Sequence, residues 1–225
     1  MFSGALIRLP EEIDINRLDG LRWERRQGGQ DLKSVMQFQG SIIRSGDIEA
    51  KEALAIHESP GKQAIIDESE GKYKISYIDV VNTVWANIYV VPGFVVVDSL
   101  ENRSFVRDII NKGLNPPKRA HDVVLNTAKM AEDHAGQWVR SFAERRGRVD
   151  RGTVFGEGVE QDSVFGPELV RSTSRTVGWT TNFFGSPVKV RVSPRGAVSV
   201  WSWPPVELFL KFIKVEILPY MISLD

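Results

Sequence analysis

The sequence predicts an α+β protein, mainly antiparallel sheets with helices packed on one face, and three observations carry that reading. Residues 72–98 are dense in β-branched and aromatic side chains, the composition of strands. Val188 to Trp201 alternates valine with Lys, Arg and Ser around a Ser193-Pro194-Arg195-Gly196 turn, which is a hairpin pattern. The segments 103–112, 120–145 and 204–218 repeat apolar residues at three- and four-residue steps, the period of helices.

Taken in order, the chain opens with a strand at Gly4–Leu9. A polar connection follows, carrying Arg22, Trp23, Glu24, Arg25 and Arg26 and broken by Gly28-Gly29, before a second strand at Val35–Ile43. Asp47 is placed to cap a short helix running to Ala55, and Ser59-Pro60-Gly61 ends that segment. From Lys72 onward the pattern is strand, with Pro92-Gly93 as a tight turn between two runs. Phe105, Val106, Ile109 and Ile110 then form the apolar face of a helix that stops at Gly113. A longer helix is expected over 120–145, on the stripe Val124, Ala128, Ala131, Ala135, Trp138 and Phe142. Residues 147–187 are glycine-rich and read as loop.

The last quarter alternates most cleanly. If Pro194-Arg195-Gly196 is a three-residue loop, Val192 faces Val198 and Val190 faces Val200, while Arg191 pairs with Ser199 and Lys189 with Trp201 on the other side. Pro204-Pro205 opens the final helix. Hairpin followed by helix thus occurs at 91–110 and again at 193–213. Duplication and coincidence both fit this echo, so the chain divides into halves 1–115 and 116–225 or forms one compact domain. The two-half plan resembles, in architecture alone, the duplicated helix-on-sheet arrangement of the TATA-box-binding protein; no motif of that family carries over.

Length and composition set the limits. A chain of 225 residues with 42% hydrophobic content has enough interior to fold unaided. Absence of cysteine removes disulfides, thiolate-bound metals and thiol catalysis. Arg8, Pro10, Glu11 and Glu12 arrive too soon for a secretory signal, so a cytoplasmic location is expected. The apolar run Val206–Ile222 is interrupted by Glu207, Lys211, Lys214 and Glu216, so no membrane span is expected.

Charge is even at 29 basic and 29 acidic residues, which excludes a wholly polybasic chain but not a local patch. Residues 1–112 carry 14 basic and 17 acidic side chains and residues 113–225 carry 15 and 12. No aspartate or glutamate lies between Leu169 and Val206, where Lys189, Arg191 and Arg195 stand among Trp201 and Trp203. Cations beside flat aromatics neutralise phosphates and stack on bases, and Arg140, Arg145, Arg146, Arg148 and Arg151, against Glu144 and Asp150, are placed to lengthen the positive track. The expectation is a non-catalytic binding or regulatory module with DNA or RNA as ligand and no cofactor. Lys189 and Arg191 merely covering buried indoles is the structural alternative.

Two further classes stay open. A metal-dependent phosphodiester hydrolase would use Asp67, Glu70 and Lys72, or Asp98 and Glu101, in the carboxylate-and-lysine pattern of magnesium sites. A protein-interaction subunit would bury its tryptophan face against a partner. Catalytic and metal-binding residues are otherwise not indicated. Ser59-Pro60-Gly61-Lys62 lacks the phosphate-loop spacing, and His121 and His134, 13 residues apart, would lie about 220° apart on one helix.

Overall fold

The computed structural model of the 225-residue chain describes residues 1–46, 48–69, 72–114, 118–144, 149–201 and 205–222. Twelve strands form one sheet: β1 (Phe2–Arg8), β2 (Leu21–Gln27), β3 (Gln30–Ser45), β4 (Ile48–Ser69), β5 (Lys72–Val91), β6 (Phe94–Val97), β7 (His121–Asp122), β8 (Gln137–Ala143), β9 (Gly152–Phe155), β10 (Thr173–Phe183), β11 (Ser186–Val192) and β12 (Ala197–Val200). Among the described residues four short α-helices accompany them: α1 (Arg103–Gly113), α2 (Thr127–Asp133), α3 (Gly166–Arg171) and α4 (Val206–Phe212). Strands run in the order β2-β3-β4-β5-β6-β1-β12-β11-β10-β8-β9, every neighbour antiparallel. β7 takes up the edge of β1 at Ile7 and Arg8, beyond the residues that β12 pairs.

This corrects the expected fold class. Strand accounts for 54% and helix for 22% of the structure, in a single large sheet rather than a balanced α+β plan. Nor do the helices share a face. Along β1 and β6, Leu6, Phe94 and Val96 pack with Phe209, Leu210 and Phe212 of α4, whereas Ile7, Val95 and Val97 pack with Phe105, Val106 and Ile109 of α1. Successive side chains point to opposite sides of a strand, so α1 and α4 cover opposite faces. The likeness to a duplicated helix-on-sheet arrangement with its helices on one face therefore fails. A strand covered on both faces is apolar throughout, which is why Phe94–Val97 shows no alternation.

Three local expectations are also overturned. The helix expected from Asp47 to Ala55 is the start of β4; Asp47 lies outside the described residues. Ala50 packs in the α4 cluster and Ala53 and Ala55 in the α1 cluster, so these alanines are small side chains beneath crossing helices rather than helix formers. The long helix at 120–145 is instead β7, α2 and β8. Asn126 caps α2 by accepting from Lys129 N, and Gly136 at φ +70° turns the chain out of the helix into β8. There sheet pairing between β10 and β9 overrides an alanine-rich stripe. The loop expected at 147–187 holds β9, α3 and β10.

The two hairpin turns agree with the sequence reading. Gly93 has φ +88° in the two-residue connection between Val91 and Phe94. Gly196 has φ +72° and donates to the Ser193 carbonyl at 3.0 Å, closing the three-residue loop. One sheet runs across the 115/116 division, because β1 pairs with both β6 and β12. No helix among the described residues is long and apolar enough to cross a membrane.

Beyond His57, β4 no longer has β3 as a neighbour, and before Ile88 β5 has not yet met β6. The two continue as a paired ribbon to Ser69 and Lys72, an arm about 12 residues or roughly 40 Å long.

Candidate functional site

The half-sheet β1-β12-β11-β10-β8-β9 contains no aspartate or glutamate in any of its strands, and carries Arg8, Arg140, Arg175, Lys189 and Arg191. Its α4 side is core: Val188, Val190, Val192, Val198 and Val200 are all buried there with Trp179. Its α1 side is where Lys189, Arg191 and Ser199 emerge, since Arg191 pairs with Ser199 and Val190 with Val200. Trp201 N donates to the Lys189 carbonyl at 2.9 Å, extending the same register. Lys189 and Arg191 are exposed, and Trp201 is 37% exposed. The faces divide as the alternation requires.

Trp138 completes this face, and the sequence reading placed it on a helix. A bulge between Gln137 and Val139, opposite Gly178 and Trp179, turns its side chain to the α1 side. Trp138 Nε1 donates to the Val190 carbonyl at 3.1 Å. Lys189 Nζ lies 4.3 Å from the ring centroid, and Trp201 meets the indole edge-on at 5.2 Å. Gly178 makes the arrangement possible, because a Cβ there would sit 3.0 Å from Trp138 Cε2, 2.6 Å from Val139 Cγ1 and 2.7 Å from the Val190 carbonyl oxygen. Neighbouring strands add hydroxyls: Thr180 pairs with Lys189, and Ser3 with Ser199.

The remaining expected residues divide. Arg195 is exposed at the tip of the β11–β12 loop, its carbonyl accepting a hydrogen bond from Arg103 Nη1. Arg103 and Arg107 each hold Asp122 at 3.0 Å, so the edge of α1 beside Arg195 is basic but partly neutralised. Arg140 turns to the opposite side, buried and donating to the Leu169 carbonyl at 3.0 Å; it does not extend the track. Trp203, Arg145, Arg146 and Arg148 lie outside the described residues.

A second basic-aromatic place lies on the same side, across α1. The strand β2, read from sequence as a connection, places Trp23 and Arg25 opposite α1. Together with His57, Lys112, Lys118 and Arg119 they line a cleft of about 680 Å³, in which Asp108 is the one lining carboxylate among the described residues. Arg25 and Lys112 stand 4.7 and 4.9 Å from the Trp23 ring centroid. His57 Nδ1 lies 2.8 Å from Ser34 Oγ, and Nε2 3.4 Å from Arg25 Nη2. A serine and histidine in contact suggest a nucleophile and its base. Here Ser34 is wholly buried and the far nitrogen faces a guanidinium instead of an orienting carboxylate, so the pair is structural. The signal for the cleft was the run Arg22 to Arg26, in which Trp23 and Arg25 share one strand face.

The carboxylates considered for metal chemistry are dispersed. Asp67 is on the arm, accepting from Ser76 Oγ and paired across the ribbon with Lys74; Glu70 lies outside the described residues. Asp98 accepts from Asn87 N at 2.8 Å and from Asn102 Nδ2 at 3.0 Å. Among the described residues no group of three or more potential metal ligands is assembled. No family model matches the chain, and no curated protein or solved structure shows significant similarity to it.

Proposed function

We propose that this chain is a non-catalytic nucleic-acid-binding protein that lays single strands across the α1 side of its C-terminal half-sheet. The observation that carries this reading is the composition of that surface. Its six strands contribute outward cations, indoles and hydroxyls and no aspartate or glutamate; the carboxylates at its margins, Asp122 and Glu144, are paired with Arg103 and Arg107 and with Arg175. Lys189, Arg191 and Arg195 meet phosphates, and the partly exposed Trp201 stacks on a base. Trp138 holds Lys189 and Trp201 in place, so the cation and the indole are organised before the ligand arrives. A sheet face that presents cations and an exposed indole suits unpaired bases, whose rings lie against it, better than it suits the grooves of a duplex.

Fluorescence anisotropy with labelled single- and double-stranded DNA and RNA tests this. Single strands bind more tightly than duplexes, and affinity falls steeply as salt rises. The double variant Lys189→Gln/Arg191→Gln weakens binding at least about tenfold and lowers the salt slope by about 0.7 for each phosphate no longer neutralised. Its melting temperature stays near that of the parent, as both side chains are exposed. No binding at low salt, or equal binding by the variant, overturns the reading.

A further inference from the structure

The β4–β5 arm presents an apolar stripe to solvent. Residues with even numbers in β4 and odd numbers in β5 share its α4-side face, because Ala64 pairs with Tyr77, Ile66 with Ile75 and Glu68 with Tyr73. On that face Tyr73 is 76%, Ile66 74%, Tyr77 67%, Ile75 64% and Val81 42% exposed. The opposite face is more polar, with Ser59, Gln63, Ser76, Asp67 and Lys74 beside Ile65 and the 45% exposed Ile78. A two-stranded ribbon alone is marginal in water, and a contiguous apolar patch of this kind marks a contact surface.

We propose that the occupant of this stripe is the same stripe on a second copy of the chain, the two arms packing face to face and antiparallel about a two-fold axis. The face is complementary to its own reversal. With the axis between the Ala64/Tyr77 and Ile66/Ile75 levels, Ala64 lies over the partner's Ile66 and Tyr77 lies over the partner's Ile75. At the flanks Lys62 meets the partner's Glu68, and Asp79 meets the partner's Tyr73 hydroxyl. No like charges face each other. Moving the axis to the Ala64/Tyr77 level sets Lys62 and Asp79 on isoleucines, so the charges select the register.

The dimensions agree. Each tip reaches the level of Gly61 on the other arm, so the arms overlap along about three-quarters of their length while the two bodies stay about 50 Å apart. Taking about 200 Å² for each large side chain, the stripe offers roughly 600 Å² per copy, or about 1,200 Å² for the pair, the lower bound of stable interfaces. This contact is independent of the basic face, which belongs to the other half of the sheet.

Sedimentation equilibrium of the full chain from about 1 µM to about 1 mM, the range of weak to moderate interfaces, tests the proposal. A reversible monomer–dimer equilibrium is expected. Ile75→Lys, Lys62→Glu and Glu68→Lys each weaken the dimer at least about tenfold, with far-UV circular dichroism unchanged. An equimolar mixture of the Lys62→Glu and Glu68→Lys chains regains the parental affinity, since only the mixed dimer sets opposite charges together at both flanks. A monomer throughout the range, a dimer indifferent to Ile75→Lys, or a mixture no tighter than its components overturns it.

Discussion

His57 and His134 are held in their neutral forms, and each makes the fold sensitive to acid. Burial is the main cause for His57, which stacks on Phe105 and feels the Arg25 guanidinium, and both effects lower its pKa; the Asp108 carboxylate opposes them. Burial likewise dominates for His134, which stacks on Trp179 at 4.2 Å, against the opposing pull of Glu216 and Asp133. His134 Nε2 has no hydrogen-bond partner among the described residues. With the folded pKa below the unfolded value of about 6.5, the unfolded chain binds more protons in the interval between them. Stability is therefore complete above about pH 6.5 and falls as pH drops through the folded pKa values. Melting temperatures measured from about pH 7 to about pH 5 should decline, and the decline should be shallower in His57→Gln/His134→Gln; an equal slope would assign the acid sensitivity to other groups. None of this was legible in the sequence, where His57 followed an expected helix ending at Ala55 and His134 lay within the helix expected over 120–145. The Lys189/Arg191 register was legible, because strict alternation and a glycine-closed turn fix which residues share a side.

At the level of elements, the arm is the part of the molecule least dependent on the rest. Its strands pair only with each other beyond His57 and before Ile88, and its large side chains are exposed. Replacing residues 61–80 by Asn-Gly, a pair suited to a two-residue hairpin turn, should leave the melting temperature of the body within a few degrees and remove self-association. A large loss of stability would show that the arm folds back on the body. Sequence misread the start of this element for a physical reason. Pro60 and Gly61 ordinarily interrupt strands, but a strand paired on one side only tolerates a residue without an N–H, and β4 has a single neighbour by that point. Trp138 was misplaced for a related reason. Its four-residue spacing from Phe142 suits a helix, and only the bulge opposite Gly178, which no periodicity reveals, brings it beside Lys189.

Across the whole molecule, β1 decides whether the two parts of the sheet behave as one. Ala5 to Arg8 pair with β6 along one edge, and Phe2 to Ala5 pair with β12 along the other. The strand is covered by α1 through Ile7 and by α4 through Leu6. The N-terminal residues therefore hold the arm-bearing half and the basic half in a single hydrogen-bonded sheet with a helix on each face. The hairpin-then-helix echo pointed to a division that the sheet crosses, because the strand joining the halves comes from the chain's first few residues and pairs over a long sequence separation. Leu6 is fully buried, and Leu6→Ala should cost about 2–5 kcal/mol, the usual range for a core leucine. Because β1 is shared, the loss should appear in both halves at once. Hydrogen exchange followed through a urea titration should show β4–β6 and β10–β12 losing protection at one midpoint, lowered equally by the substitution; separate midpoints would mean that the halves unfold independently.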